Sequence, residues 1–157
     1  MKPAAWRAGC DQPLDPVSRE EGFRPFEHTG DLGLEVWAAS AERLFALAAE
    51  ALSAQIAEAR PLPAELRVDV VLAGDGPEDL LVHWLNTALL EGELRRAVWT
   101  RADVSLLTTA RIEGTLSGQR LDPRRQTFLR EIKAVSMHGL ALELEPSRCR
   151  CRLILDV

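Results

Sequence analysis

Apolar and polar positions alternate weakly from Gly33 to Ala38, which predicts a strand. Ser40 then stands as a helix N-cap, with Glu42 in the first turn where the helix dipole favours an anion. Phe45, Ala48, Ala49, Leu52 and Ile56 follow at helical spacing, and Pro61 and Pro63 end that helix. Leu66, Val68, Val70 and Leu72 alternate with Arg67, Asp69, Val71 and Ala73, a second strand. The segment GDGP at 74–77 is a turn, and Pro77 suits the first position of a second helix with Leu81, Trp84, Leu85, Ala88 and Leu89 on its apolar face.

The second half is strand-rich. DVSLLTTARIEGTLSG, from Asp103, predicts one long bent strand or a hairpin, and QRLDPRRQ a basic turn or short 3₁₀ piece. EIKAVSMHGLALELE and RCRCRLILDV, joined by EPSR, predict an antiparallel hairpin. This order implies an α+β fold: a single two-layer domain in which two main helices pack on one face of a mixed β-sheet. Residues 1–22, polar, aperiodic and carrying Pro3, Pro13 and Pro16, read as a flexible extension to a domain spanning 23–157.

Charge narrows the function classes. At −5 net, the chain is a poor candidate for clamping nucleic acid by itself, because phosphate contacts come from Lys and Arg. No apolar run approaches the roughly 18 residues needed to cross a bilayer, and the N-terminus lacks the apolar stretch of a signal peptide. Cys10, Cys149 and Cys151 form no framework, which points to reduced thiols and a cytoplasmic home. Cys149, Cys151, Leu153 and Leu155 share one strand face, so both cysteines read as small core residues; Arg150, Arg152, Ile154 and Asp156 share the other.

Four places hold groups that could do chemistry: His28-Thr29-Gly30-Asp31, Lys133 in an apolar strand, His138 five residues on, and Asp156 after LIL. Each has a plain structural reading. An Asp beside Gly is a turn residue, a strand Lys snorkels to water, a lone His is a satisfied structural group, and an Asp near the chain terminus frays. Asp156, however, continues the alternation of a well-formed strand. If the strands bring Asp31 near Asp156, the two carboxylates need a cation between them, and a hard divalent ion suits oxygen donors. No P-loop, dinucleotide fingerprint or nucleophile elbow occurs.

Together, HTGD at 28–31, LFALAAEAL at 44–52, DLLVHWLNTALL at 79–90, GTLSGQRLD at 114–122, EIKAVSMHGL at 131–140 and LILDV at 153–157 resemble the archease family, over about residues 23–157. Gly30 stands where that family usually has alanine, Gln119 where it has glutamate, and Ser136-Met137 where Thr-Tyr is common. The resemblance implies a protein cofactor without catalysis of its own. Its partner would be an RtcB-type RNA ligase, whose GTP-dependent guanylylation and turnover it promotes in tRNA splicing or RNA repair. By that resemblance Asp31 and Asp156 hold a divalent cation, calcium first and Mg²⁺ or Mn²⁺ as alternatives. Lys133, His138 and His28 are the ligase-activating groups, and RNA is met only through the ligase. Two other readings stay open on the residues: a small metal-dependent hydrolase using His28, Asp31, His138 and Asp156, and a chaperone-like binding module for RNA-modifying enzymes.

Overall fold

The structure, a computed structural model, describes residues 20–157. Residues 1–19, most of the segment read as an extension and including Cys10, lie outside the described residues.

Helix α1 (Ala41–Ile56) starts as its sequence predicts. Ser40 is extended and its Oγ accepts the Arg43 N–H at 3.2 Å. It stops five residues before Pro61, where another segment caps it: the Ile56 carbonyl accepts the Leu129 N–H at 2.7 Å and the Arg130 N–H at 3.3 Å. Helix α2 (Pro77–Arg95) has Pro77 in its first turn, with Glu78 and Asp79, and ends at Arg96 with φ 50°. Trp84 is fully buried and its indole donates to the Phe45 carbonyl at 2.8 Å, tying the two helices. Gly114 leaves room for it, since a Cβ there would lie 2.9 Å from Trp84 Cη2.

The α+β class and the two main helices stand, and the strands divide into two sheets. One runs β1 (Gly22–His28), β2 (Asp31–Ala38), β8 (Arg148–Asp156), β6 (Ala134–Val135), with β7 (Ala141–Glu145) also pairing β8; the other runs β3 (Leu66–Ala73), β5 (Arg111–Arg120), β4 (Ala97–Leu107). Every pairing among these strands is antiparallel, which corrects the single mixed sheet read from the sequence. The reason lies in α1. It joins β2 to β3, as a parallel crossover would, but delivers β3 to the second sheet, and there β5 inserts between β3 and β4, the two strands that α2 joins, so no parallel strands lie side by side. Both helices contact strands of both sheets, so Leu34, Leu44, Phe45, Leu81, Leu116 and Leu153 share one core.

Cys149 and Cys151 are free, buried and part of that core, as the strand alternation predicts. Burial raises both thiols, Cys151 to about 12. On the opposite face of the same sheet, Arg24 pairs with Glu35 at 2.8 Å, the Arg152 guanidinium stacks on Phe26 at 4.2 Å, and Arg150 lies 3.4 Å from Glu143 with both side chains buried.

Two stretches depart from the sequence pattern. The run from Glu131 to Glu145 is no continuous strand: only Ala134–Val135 pairs before the chain turns, and β7 begins at Ala141. The bent segment from Asp103 is a hairpin whose first strand begins earlier, at Ala97.

Candidate functional site

The HTGD segment is a hairpin tip. His28 and Asp31 are the last pair of the β1–β2 ladder, with Thr29-Gly30 as a two-residue turn and Gly30 at φ 74°. The turn reading is therefore correct, and it fixes where the two side chains stand. They share one face of the sheet, both a little over one-third exposed, with His28 Nδ1 3.9 Å from Asp31 Oδ2. That nitrogen is shielded from water and makes no hydrogen bond.

The next strand brings the second carboxylate. β2 pairs β8 with Leu32 opposite Leu155, so one further step of the antiparallel register sets Asp31 level with Asp156. On the other side of β8, Asp156 pairs with Ala134, and its carbonyl accepts the Lys133 N–H at 2.7 Å. Thus His28, Asp31, Asp156 and Lys133 stand on four successive strands, or at their ends, along one end of the sheet. Positions 28, 31 and 156 are all on the face opposite the core, since Leu32, Leu153 and Leu155 point into the core.

Lys133 is exposed and precedes the short strand rather than sitting within a long one. It forms no ion pair among the described residues. His138 is also exposed and sits on a turn, closed by the Leu140 N–H donating to the Met137 carbonyl at 3.2 Å. Gly139, at φ 71°, lets this turn rest on Ile154; a Cβ there would come within 2.6 Å of Ile154 Cγ1. Ile154 is two residues from Asp156 on the same face, so the His138 turn overlies the same region of β8.

Two features escaped the sequence reading. Asn86, on α2, holds β6 through both ends of its amide: Nδ2 donates to the Val135 carbonyl at 2.7 Å and Oδ1 accepts the Val135 N–H at 2.9 Å. Its signal was a lone amide in the apolar run LLVHWLNTALL. Lys133 also carried a compositional signal: of 19 basic residues only Lys2 and Lys133 are lysines, so position 133 takes a compact ammonium where this chain otherwise uses guanidinium.

Chemically, this end presents two carboxylates, two imidazoles and an ammonium on an open surface. Among the described residues no three His, Cys, Asp or Glu side chains converge as a metal-holding group. Asp31 and Asp156 still fit a hard cation as two oxygen donors on neighbouring strands, with other positions left to water or to a partner. A groove of about 430 Å³ lined by Phe23, Arg43, Glu50, Ser53, Trp99 and Thr100 lies elsewhere, and none of the five groups lines it. There burial outweighs the Arg43 ion pair and raises the Glu50 carboxyl. No described helix is long and apolar enough to cross a membrane.

A family model described as "Archease protein family (MTH1598/TM1083)" matches residues 23–157. A "Protein archease" of Methanopyrus kandleri is 29% identical over 138 residues, covering 86% of this chain and 99% of that one. Its counterpart in Methanosarcina mazei is 26% identical over 144 residues, covering 89% and 99%. The solution structure of protein 1598 from Methanobacterium thermoautotrophicum superposes with a TM-score of 0.71 at 22% identity, covering 87% of this chain and 99% of that one, a likeness of fold.

Proposed function

The chain belongs to the archease family, and on that premise we propose that it is an accessory activator of an RtcB-type RNA ligase, promoting the ligase's GTP-dependent guanylylation and turnover in tRNA splicing or RNA repair, in the cytoplasm and without catalysis of its own. One observation carries the reading: the groups that the family resemblance singles out, scattered from residue 28 to residue 156, gather at one end of one sheet.

Asp31 and Asp156 would hold a divalent cation, calcium first, and its chemistry there would be to offset phosphoryl charge. The rest falls to side chains. The Lys133 backbone is bonded to Asp156, which keeps the ammonium-bearing residue beside the carboxylate pair while leaving the side chain free to reach a partner's nucleotide. Asn86 fixes β6 and so the position from which Lys133 reaches. His28 and His138 flank the carboxylates, His28 as the cross-strand partner of Asp31 and His138 on the turn that overlies β8. Exposure favours an activator over a hydrolase, because Lys133, His138 and Asp156 lie open to water.

The test is a reconstituted one. Purified ligase, GTP and the protein are mixed, and ligase guanylylation is followed with and without it. Stimulation at substoichiometric protein supports the reading. Phosphoester hydrolysis by the protein alone, without stimulation of the ligase, overturns it.

A further inference from the structure

Between β5 and β6 the chain crosses the molecule as an irregular strap, 121–133, and its position is built rather than loose. Gln126, buried, donates to the Arg120 carbonyl at 3.0 Å and accepts the Asp122 N–H at 2.6 Å. Gln119, also buried, donates to the carbonyls of Arg60 and Leu62 and accepts the Arg60 N–H. Farther on, Glu58 N–H donates to the Thr127 carbonyl, Phe128 bridges Ala57, and the Leu129 and Arg130 N–H groups cap α1. With its backbone thus occupied, the strap buries Gln126 and Ile132 and leaves the other side chains from Pro123 to Lys133 exposed.

Those side chains differ from the rest of the surface. Between residues 120 and 133 stand five cationic residues against two acidic ones, in a chain whose net charge is −5. Arg124, Arg130 and Lys133 are exposed and form no ion pair among the described residues, while Arg125 pairs with Asp122 at 3.6 Å. Among them Phe128 is 56% exposed, although a large apolar side chain held out by fixed backbone loses the burial that would stabilise it. Cations spaced along a ribbon with an aromatic face between them suit a single-stranded polynucleotide: phosphates meet the guanidinium groups and a base stacks on the ring. A protein partner would cover the exposed apolar groups and could pair Arg124 and Arg130 with carboxylates, but an aromatic ring set between two unpaired guanidinium groups matches the alternation of base and phosphate along a strand.

We infer that the strap around Arg124, Phe128 and Arg130 is a contact for single-stranded RNA, leading toward Lys133. This deepens the activator reading and rests on it for the identity of the RNA, namely a substrate of the partner ligase. The acidic remainder of the chain keeps the contact weak in the free protein and lets it matter when the ligase already holds the RNA.

Photo-cross-linking of an oligouridylate carrying 5-iodouridine tests it, at low salt, with the protein alone and with the ligase present. The expected adduct maps to Phe128; adducts confined to other regions of this chain, or none, overturn the inference. In the reconstituted assay Phe128→Ala raises the KM for RNA about tenfold, the loss of one stacked base. Arg124→Ala/Arg130→Ala lowers the slope of log affinity against log salt by about 1.4, two single-strand phosphate contacts. Both variants stimulate RNA-free guanylylation as the wild type does, with unchanged melting temperature. If guanylylation falls while the RNA KM holds, the strap docks on the ligase and the RNA contact is wrong. If the wild type fails to stimulate guanylylation, the activator reading falls separately, and the cross-link of the protein alone decides the RNA contact.

Discussion

Asn86 and Val135 are bonded twice, amide to peptide, across the gap between α2 and β6. A two-residue strand has little pairing of its own, so this clamp and its ladder to β8 fix the position of Lys133 two residues upstream. Asn86→Ala leaves a peptide group partly unpaired and is expected to lower stability by about 1–3 kcal/mol. It should also reduce ligase stimulation at temperatures where the variant is fully folded. Denaturant melts beside the guanylylation assay check this; full stimulation would show that β6 holds Lys133 unaided.

The carboxylate pair makes a prediction with two signs. Asp31 and Asp156 stand level on neighbouring strands, and like charges so placed repel. In a chelator, Asp31→Asn should therefore stabilise the protein slightly, by about 0.2–1 kcal/mol. Calcium should raise the melting temperature of the wild type and not that of Asp31→Asn or Asp156→Asn. Calorimetry and thermal melts with calcium measure both, and equal calcium binding by all three proteins would remove these carboxylates from the site.

Lys133 is exposed, so its head group has no buried partner to lose. Lys133→Met should change stability by less than about 1 kcal/mol, as surface substitutions do, while sharply slowing guanylylation of the ligase. Lys133→Arg should restore little, since a planar fork does not replace a compact ammonium. Normal activation by Lys133→Met would sink the assignment.

Cys151 supplies a pH dependence. Its thiol is pushed up to about 12 by burial, against 9.0 for an unburied thiol. The unfolded chain thus releases the proton first as pH rises, so folding stability is intact below pH 9.0 and falls progressively toward about 12. The chain has no tyrosine to mask this titration. Denaturant melts from pH 8 to 11 should show the loss, and Cys151→Ala should reduce it, leaving the part that comes from Cys149, whose thiol burial also raises.

Much of this architecture was legible in the chain. Ser40, Pro77 and the helical spacing of apolar residues marked both helices because capping and burial act locally. The alternation through Cys149, Cys151, Leu153 and Leu155 gave the correct inner face of β8. What stayed hidden was non-local or unpunctuated. β1 contains Pro25 and no apolar run, and is tolerated because it is an edge strand. The junction of α2 and β4 is turned by Arg96 in a left-handed conformation, a role glycine would have advertised. Gly139 did advertise the break after β6, but the apolar residues around it read as one strand. At the site, His28 to Asp31 was legible as a group. That Asp156 lies level with Asp31 depends on strand order, which no local pattern encodes.

That strand order bears on how the protein comes to be made. β2 leaves the ribosome early, yet its second neighbour is β8, synthesised roughly a hundred residues later. Until then β2 presents an unpaired edge lined with Leu34, Val36 and Trp37, a template for the wrong partner. The helices and the β3–β5–β4 sheet can form meanwhile from nearer contacts, so the first sheet closes last, around β8. Closing that sheet also completes the row from His28 to Lys133. A chain stalled or nicked before β8 would therefore be both sticky and inert, and competence as an activator would arrive in the same step as a finished fold.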